Sequence, residues 1–426
     1  MRSVVAFPGT MAHAQQVARA LAQRGALDAF VTTFSYRADG ALARVARALP
    51  ESLGARATRQ LMRRRVDLPD ALVHSTPGWE IARTLLAQTS LSPTIGDRVW
   101  DHASFRFDAM VARRFVPRTQ AIHAFEYTAR AAFERAGELG VARVLHMPSL
   151  DSRAFETIRL RERADFPELA GPHDPYFARR FETRYARRCA ETALADVIVA
   201  NSTLTARSHI AAGVDPAKLV VVPLGAPPAR DALIAADETA PLRVIWAGPF
   251  TLRKGAHLLL QAWRMLNAGA ASSLEVYGAQ RLPQRCLAGL PAGITFHGSV
   301  PQAALFEAFA RGDVLVFPTL SDGFGMVVTE AMAQGLPVIT TQEAGAADLI
   351  TPHNGRIIKA GDAAAIVDAL RWCLDERSAL AAMRAHALAT ARAWQWSDYR
   401  GALIERLEPA LRAKGFAPDF ARRAGL

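Results

Sequence analysis

The chain has 426 residues, half of them hydrophobic, and carries 51 Lys+Arg against 40 Asp+Glu for a net charge of +11. That length suits two or three domains with sizeable cores, and no apolar run approaches the roughly 18–20 residues of a membrane span. Three widely separated cysteines, Cys189, Cys286 and Cys373, form neither a disulfide framework nor a metal-ligand spacing and suit a reduced cytoplasm, the expected compartment.

In chain order, Arg2 to Phe7 reads as a first strand, too short for a signal-peptide core and cut by Pro8-Gly9. Ala12 to Arg24 reads as a helix with Val17, Ala20 and Leu21 on one face. Residues 40–118 are helical but poorly patterned and resemble an insertion rich in Arg and Leu. Strands follow at Ala121–Ala124, Ala142–His146, Val197–Val199 and Leu219–Val222, before Pro223-Leu224-Gly225-Ala226-Pro227-Pro228 breaks the pattern. The pattern restarts with strands at Leu242–Trp246, Leu274–Tyr277, Ile294–Phe296, Val314–Phe317 and Val338–Thr340. Near-continuous apolar strands alternating with helices imply two α/β units with buried parallel sheets that face each other. The expected boundaries are a domain over 1–225, a linker over 226–240, a second domain over 241–395, and a helix over 396–426 that crosses back to brace the first.

The charge is uneven. Residues 1–230 hold 32 Lys+Arg and 22 Asp+Glu, while the remainder hold 19 and 18. The excess gathers at Arg56, Arg59, Arg63, Arg64 and Arg65 and at Arg179, Arg180, Arg184, Arg187 and Arg188. If these share a face, the protein is expected to touch anionic lipid peripherally, on the inner side of the cell membrane. With only four lysines present, an arginine-rich composition with solvated helices explains the same excess. No aromatic–basic stacking platform accompanies it, so a basic nucleic-acid-binding protein ranks low and no nucleic-acid partner is expected.

Two loops carry the chemistry. After the first strand of the second unit, Gly248-Pro249-Phe250-Thr251-Leu252-Arg253-Lys254-Gly255 leads into a helix over Ala256–Leu266. Two cations at the mouth of a helix suit a diphosphate, since amides, macrodipole and guanidinium all favour an anion. Further on, Ser321-Asp322-Gly323-Phe324-Gly325-Met326 separates a buried strand from a helix that carries Glu330 in its second turn. Asp322 and Glu330 can accept hydrogen bonds from a polyol beside amides that face an anion. His146 ends a buried strand and is expected to project into the cleft between the units. No GxGxxG, Asp-x-Asp pair or His/Cys cluster occurs, so neither a dinucleotide, a metal nor any other cofactor is expected.

The run from Ser321 to Val338 resembles the family 4 glycosyltransferases, which are retaining, nucleotide-sugar-dependent enzymes of the GT-B fold. The similarity is strong over about 195–400, thinner over 1–20 and 120–150, and absent over 40–118. Two departures stand out: Asp322 replaces the usual Glu, and Pro249 the usual Arg. The resemblance implies that Lys254 and Arg253 hold the donor diphosphate, Glu330 the ribose, and Asp322 with the Phe324-Gly325 backbone the sugar. It further implies donor contacts at His146, Gly248 and Gly323. Gly278, His297 and Val300 would lie by the nucleobase, Gly9 by the donor phosphate, and Thr10, His123 and Glu126 on the acceptor side. The function implied is transfer of a hexose from a nucleotide-diphosphate sugar to an acceptor hydroxyl on a glycan, lipid or small molecule, with retention and without a metal. A nucleotide-sugar epimerase or hydrolase of the same fold is the alternative.

Overall fold

The computed structural model describes residues 1–9, 11–37, 40–48, 50–62, 64–76 and 93–420. Thr10 and Arg63 lie outside the described residues.

Seven strands form the first sheet: β1 (Ser3–Ala6), β2 (Leu27–Thr32), β3 (Val73–Ser75), β4 (Ala121–Phe125), β5 (Ala142–Met147), β6 (Val197–Ala200) and β7 (Leu219–Val221). Their spatial order is β3-β2-β1-β4-β5-β6-β7, and every pairing is parallel. The second sheet contains β8 (Leu242–Ala247), β9 (Ser272–Tyr277), β10 (Ile294–Gly298), β11 (Val314–Phe317), β12 (Val338–Thr341) and β13 (Gly355–Ile358), in the order β10-β9-β8-β11-β12-β13, again parallel. Strands such as β6 and β11 are buried at every residue, which explains their unbroken apolar character. In each sheet the order reverses beside its first strand, between β1 and β4 and between β8 and β11. Ligands of open α/β sheets collect at the carboxyl ends of the strands flanking such a reversal.

The chain crosses between the units twice, and the crossings are laced together. Ala226 N donates to Trp394 O at 2.9 Å, Trp396 N donates to Ala226 O at 3.1 Å, and the Trp394 indole donates to Pro223 O at 3.1 Å. A side chain on Gly225 would come within 2.5 Å of the Gln395 backbone, so only glycine allows this approach. The helix Trp396–Ala413 then packs on the helix Ala12–Ala22.

The second arginine cluster does not form a free basic face. On the helix Asp174–Leu194, Arg184 pairs with Asp97 at 2.6 Å and Asp101 at 2.7 Å, and Arg180 and Arg187 pair with Asp101 and Asp108. These acids lie on the helix Pro93–Arg114, inside the stretch whose sequence pattern is unreadable. Asp108 is fully buried and also accepts from Ala131 N and Ala132 N at 2.8 and 2.9 Å. Three of the five arginines of this cluster, Arg180, Arg184 and Arg187, are thus matched by acids of the same domain, and their charge does not carry the expected lipid contact.

Beneath the carboxyl ends of the first sheet lies a buried polar group. His13 Nε2 meets the Tyr399 hydroxyl at 2.9 Å, and His123 Nδ1 meets His146 Nε2 at 3.1 Å. Burial lowers the pKa of His13 to about 4 and of His123 to about 3. Both therefore stay neutral in the folded protein while their unfolded counterparts protonate below about 6.5. Their contribution to stability is present above that pH and is lost as pH falls toward the folded values, by at most about 1.4 kcal/mol per unit for each histidine. Urea midpoints from pH 8 to pH 4.5 should fall most steeply below pH 6.5, and His123→Leu should flatten that slope. An unchanged slope would remove His123 as a cause.

Candidate functional site

At the carboxyl edge of the second sheet, glycine lets three loops meet. Gly248 follows β8 with φ = +114° and Gly278 follows β9 with φ = +141°. A Cβ on Gly278 would overlap the Gly248 carbonyl oxygen. Gly248 N donates to Tyr277 O and Gly278 N to Gly298 O, both at 2.8 Å. From this junction the chain runs through a single 3-10 turn, Leu252–Lys254, to Gly255 in the left-handed region, and then into the helix Ala256–Leu266.

That turn is fastened to the loop leaving β11. Leu320 N donates to Arg253 O at 2.9 Å, and the Arg253 guanidinium donates to Ser321 O at 2.5 Å. The nearly buried Lys254 ammonium donates to the Asp322 carboxylate. Desolvation lowers the Lys254 pKa and Arg253 pushes the same way, while Asp322 opposes both. Asp322 also accepts from Phe324 N at 3.2 Å, and its backbone bridges to Ala344. The two side chains expected to hold different parts of one ligand thus share an ion pair across the strand-order reversal.

The same loop docks on the first domain. Gly323 O accepts from Ser202 Oγ at 2.6 Å and Thr205 Oγ1 at 3.1 Å. A Cβ on Gly323 would sit 2.5 Å from Pro148 O. This contact faces Asp322 and Lys254 toward the end of β5, where the Ser149 hydroxyl donates to Glu126. A cleft of about 590 Å³ results, with Glu126, Ser149, Arg188, Arg253, Lys254 and Asp322 among its lining. Beside Glu126, Tyr127 is held at φ = +76°, a costly conformation for a bulky residue that recurs at functional sites.

Other expected residues lie elsewhere. His146 is fully enclosed, so it does not project into the cleft; its ring turns inward onto His123 and stacks on Phe125. His123 is equally enclosed. Gly9 is tied to β2, its carbonyl accepting from Thr32 Oγ1 at 2.7 Å. His297 lies flat on Tyr277, with ring centroids 4.4 Å apart, and is held by Glu275; Val300 follows in the next loop. Neither lines the cleft with Lys254. Among the described residues, no group of His, Cys, Asp or Glu is arranged to hold a metal, and no helix is long and apolar enough to cross a membrane.

Glu330 departs from expectation in its surroundings. It is the fifth residue of the short helix Met326–Met332, past the free amides of the first turn, and among the described residues no backbone amide donates to it. Burial raises its pKa. A carboxyl whose folded pKa is raised stabilises the fold at low pH and loses that contribution as pH rises through the folded value. Glu330→Gln should therefore raise Tm at pH 8, with the gain vanishing near pH 4. A carboxylate kept at such cost fits a ligand-binding role. The variant should also lose about 1.5–3 kcal/mol of nucleotide affinity if the ribose binds there. A variant less stable than wild type at pH 8 would contradict the desolvation account.

Sequence comparison aligns residues 241–376 with the family model described as Glycosyl transferases group 1. The Nocardia farcinica D-inositol 3-phosphate glycosyltransferase is 28% identical over 240 residues, covering 51% of this chain and 53% of that protein. The Rhizobium meliloti lipopolysaccharide core mannosyltransferase is 34% identical over 134 residues, 30% of this chain and 37% of its own. Arabidopsis thaliana sulfoquinovosyl transferase is 36% identical over 98 residues, 22% of this chain and 19% of its own. The matched stretches thus span about half or less of these relatives. Among solved structures, Anabaena HepE in complex with UDP superposes with a TM-score of 0.61 at 14% identity, covering 96% of this chain and all of that one. A trehalose-phosphate synthase from Burkholderia vietnamiensis gives 0.62 at 14% identity, covering 98% and 99%. The architecture is the α/β, two-domain GT-B fold.

Proposed function

We propose that the protein is a glycosyltransferase that moves a hexose from a nucleotide-diphosphate sugar to an acceptor hydroxyl with retention of anomeric configuration. The observation that carries this reading is the locked pair of loops bearing Arg253, Lys254 and Asp322 at the strand-order reversal of the second sheet, open to the cleft. The aligned stretch, 241–376, contains all three residues. In this reading Arg253 and Lys254 neutralise charge gathering on the leaving diphosphate, the main catalytic contribution. Asp322 and the Phe324-Gly325 backbone orient the sugar, and Glu330 takes the ribose. Glu126 and Ser149 meet the acceptor from the opposite wall, delivering its hydroxyl to the face the diphosphate leaves. His146 acts from inside the domain, as a support for that wall. The work of a divalent ion falls to the basic side chains.

Thermal-shift titration with UDP, GDP, ADP and their sugars identifies the donor, because a specific ligand stabilises the fold by mass action. Turnover with that donor and an acceptor pool in excess chelator should release nucleoside diphosphate, and the anomeric coupling of the product reports retention. Donor consumption that ends in free or epimerised sugar, with no acceptor conjugate, would replace the transferase by a hydrolase or epimerase.

A further inference from the structure

The first-domain wall of the cleft is built by the helices Ser152–Asp165 and Asp174–Leu194. It carries Arg159, Arg163, Arg184 and Arg188 together with the rings of Phe155 and Phe181. Three of these guanidinium groups are matched: Arg159 by Glu156, Arg163 by Asp174 at 2.6 Å, and Arg184 by Asp97 at 2.6 Å. Arg188 is not. Its nearest carboxylate oxygen, on Glu126, is 3.9 Å away, while the other oxygen of that carboxylate takes the Ser149 hydroxyl. The Arg188 Nε is buried with no hydrogen-bond partner. The guanidinium lies over the Tyr127 ring, 4.8 Å from its centroid, which fixes its plane and leaves its edge to a ligand. Across the cleft, Arg253 makes its hydrogen bond to a carbonyl, not to a carboxylate. The cleft therefore presents on each wall a guanidinium that makes no carboxylate hydrogen bond among the described residues, although Glu162 lies within the field of Arg253 and Glu126 within that of Arg188. One diphosphate on the Arg253 side leaves Arg188, a quarter exposed and only loosely paired with Glu126, able to take a second anion in a charge-assisted fork.

We propose that Arg188 binds a compact oxyanion, a phosphate monoester or a carboxylate, carried by the acceptor, with Phe155 and Phe181 flanking the acceptor's apolar face. The word acceptor rests on the glycosyltransferase reading; the anion site does not.

The test is calorimetric titration of glucose 6-phosphate, glucuronate and glucose into protein preloaded with a saturating nucleoside diphosphate. One of the two anionic sugars should bind at least tenfold more tightly than glucose, and the preferred one distinguishes phosphate from carboxylate. Arg188→Gln should remove that preference while leaving nucleoside diphosphate affinity within twofold. Arg188→Lys, which keeps the charge but loses the fork, should retain part of it and decides the matter if the glutamine variant does not fold. No preference over glucose, a preference indifferent to both variants, or an equal loss of nucleotide affinity would each overturn the proposal. Anion binding through Arg188 in a protein that binds no nucleoside diphosphate would uphold the anion site and discard the transferase reading.

Discussion

Lys254→Ala is expected to lower kcat/KM for sugar nucleotide by about 30- to 1000-fold, the ~2–4 kcal/mol that a preorganised cation supplies to a leaving group. The fold should survive, because Asp322 keeps its bond from Phe324 N and its backbone bridge to Ala344. Asp322→Ala should act differently. Burial already lowers the Lys254 pKa, and Asp322 is the group that opposes this. Without it the ammonium loses its proton at lower pH, so the alkaline limb of the rate profile should move toward neutrality. Steady-state rates from pH 6 to 10 on both variants, with Tm as a folding control, test the pair. Wild-type kinetics in Lys254→Ala would remove the residue from the reaction.

Gly255→Ala should be a severely damaging backbone change. Gly255 has φ = +77°, and a Cβ there would overlap the Pro318 carbonyl oxygen on the loop leaving β11. The left-handed conformation alone costs about 1–2 kcal/mol, and the overlap forces apart the two loops that hold Lys254 against Asp322. A fall in Tm of roughly 5–10 °C, or failure to accumulate folded protein, is expected. Gly361→Ala is the matched control, since it has φ = +78° and nothing within 4 Å of the added carbon. Equal losses in both variants would assign the whole effect to backbone strain and none to the loop contact.

Much of the second domain was legible because its central strands are apolar throughout and its loops carry unusual residues at fixed spacing. β13 escaped because Gly355 and Arg356 interrupt the apolar run and Ile357 faces solvent at the sheet edge. β2 escaped for a related reason: Asp28 interrupts its pattern but is matched by Arg2, just before the neighbouring strand β1. β3 has only three residues, too few for a period. At the candidate site, Arg253, Lys254 and Asp322 stand out in the sequence by type and spacing, yet their mutual pairing depends on two loops 68 residues apart. His146 was misplaced because strand position tells that a side chain alternates between faces, not which face borders a cleft. Arg188 lay hidden among similar arginines. What separates it is the set of acids 79 to 87 residues earlier that match Arg184 and Arg187 but not Arg188.

The laced crossings at Ala226 and Gln395 bear on how the molecule can be cut and rejoined. Two independent tethers would let either be severed while the other kept the halves in register. Here each crossing supplies hydrogen-bond partners for the other, and Gly225 admits no spacer between them. New termini opened at this seam would free both strands at once, whereas termini placed in a surface loop of either domain would leave the seam whole. Joined as a pair, the crossings behave as one seam, and sliding one domain along the other would break the hydrogen bonds that bridge it.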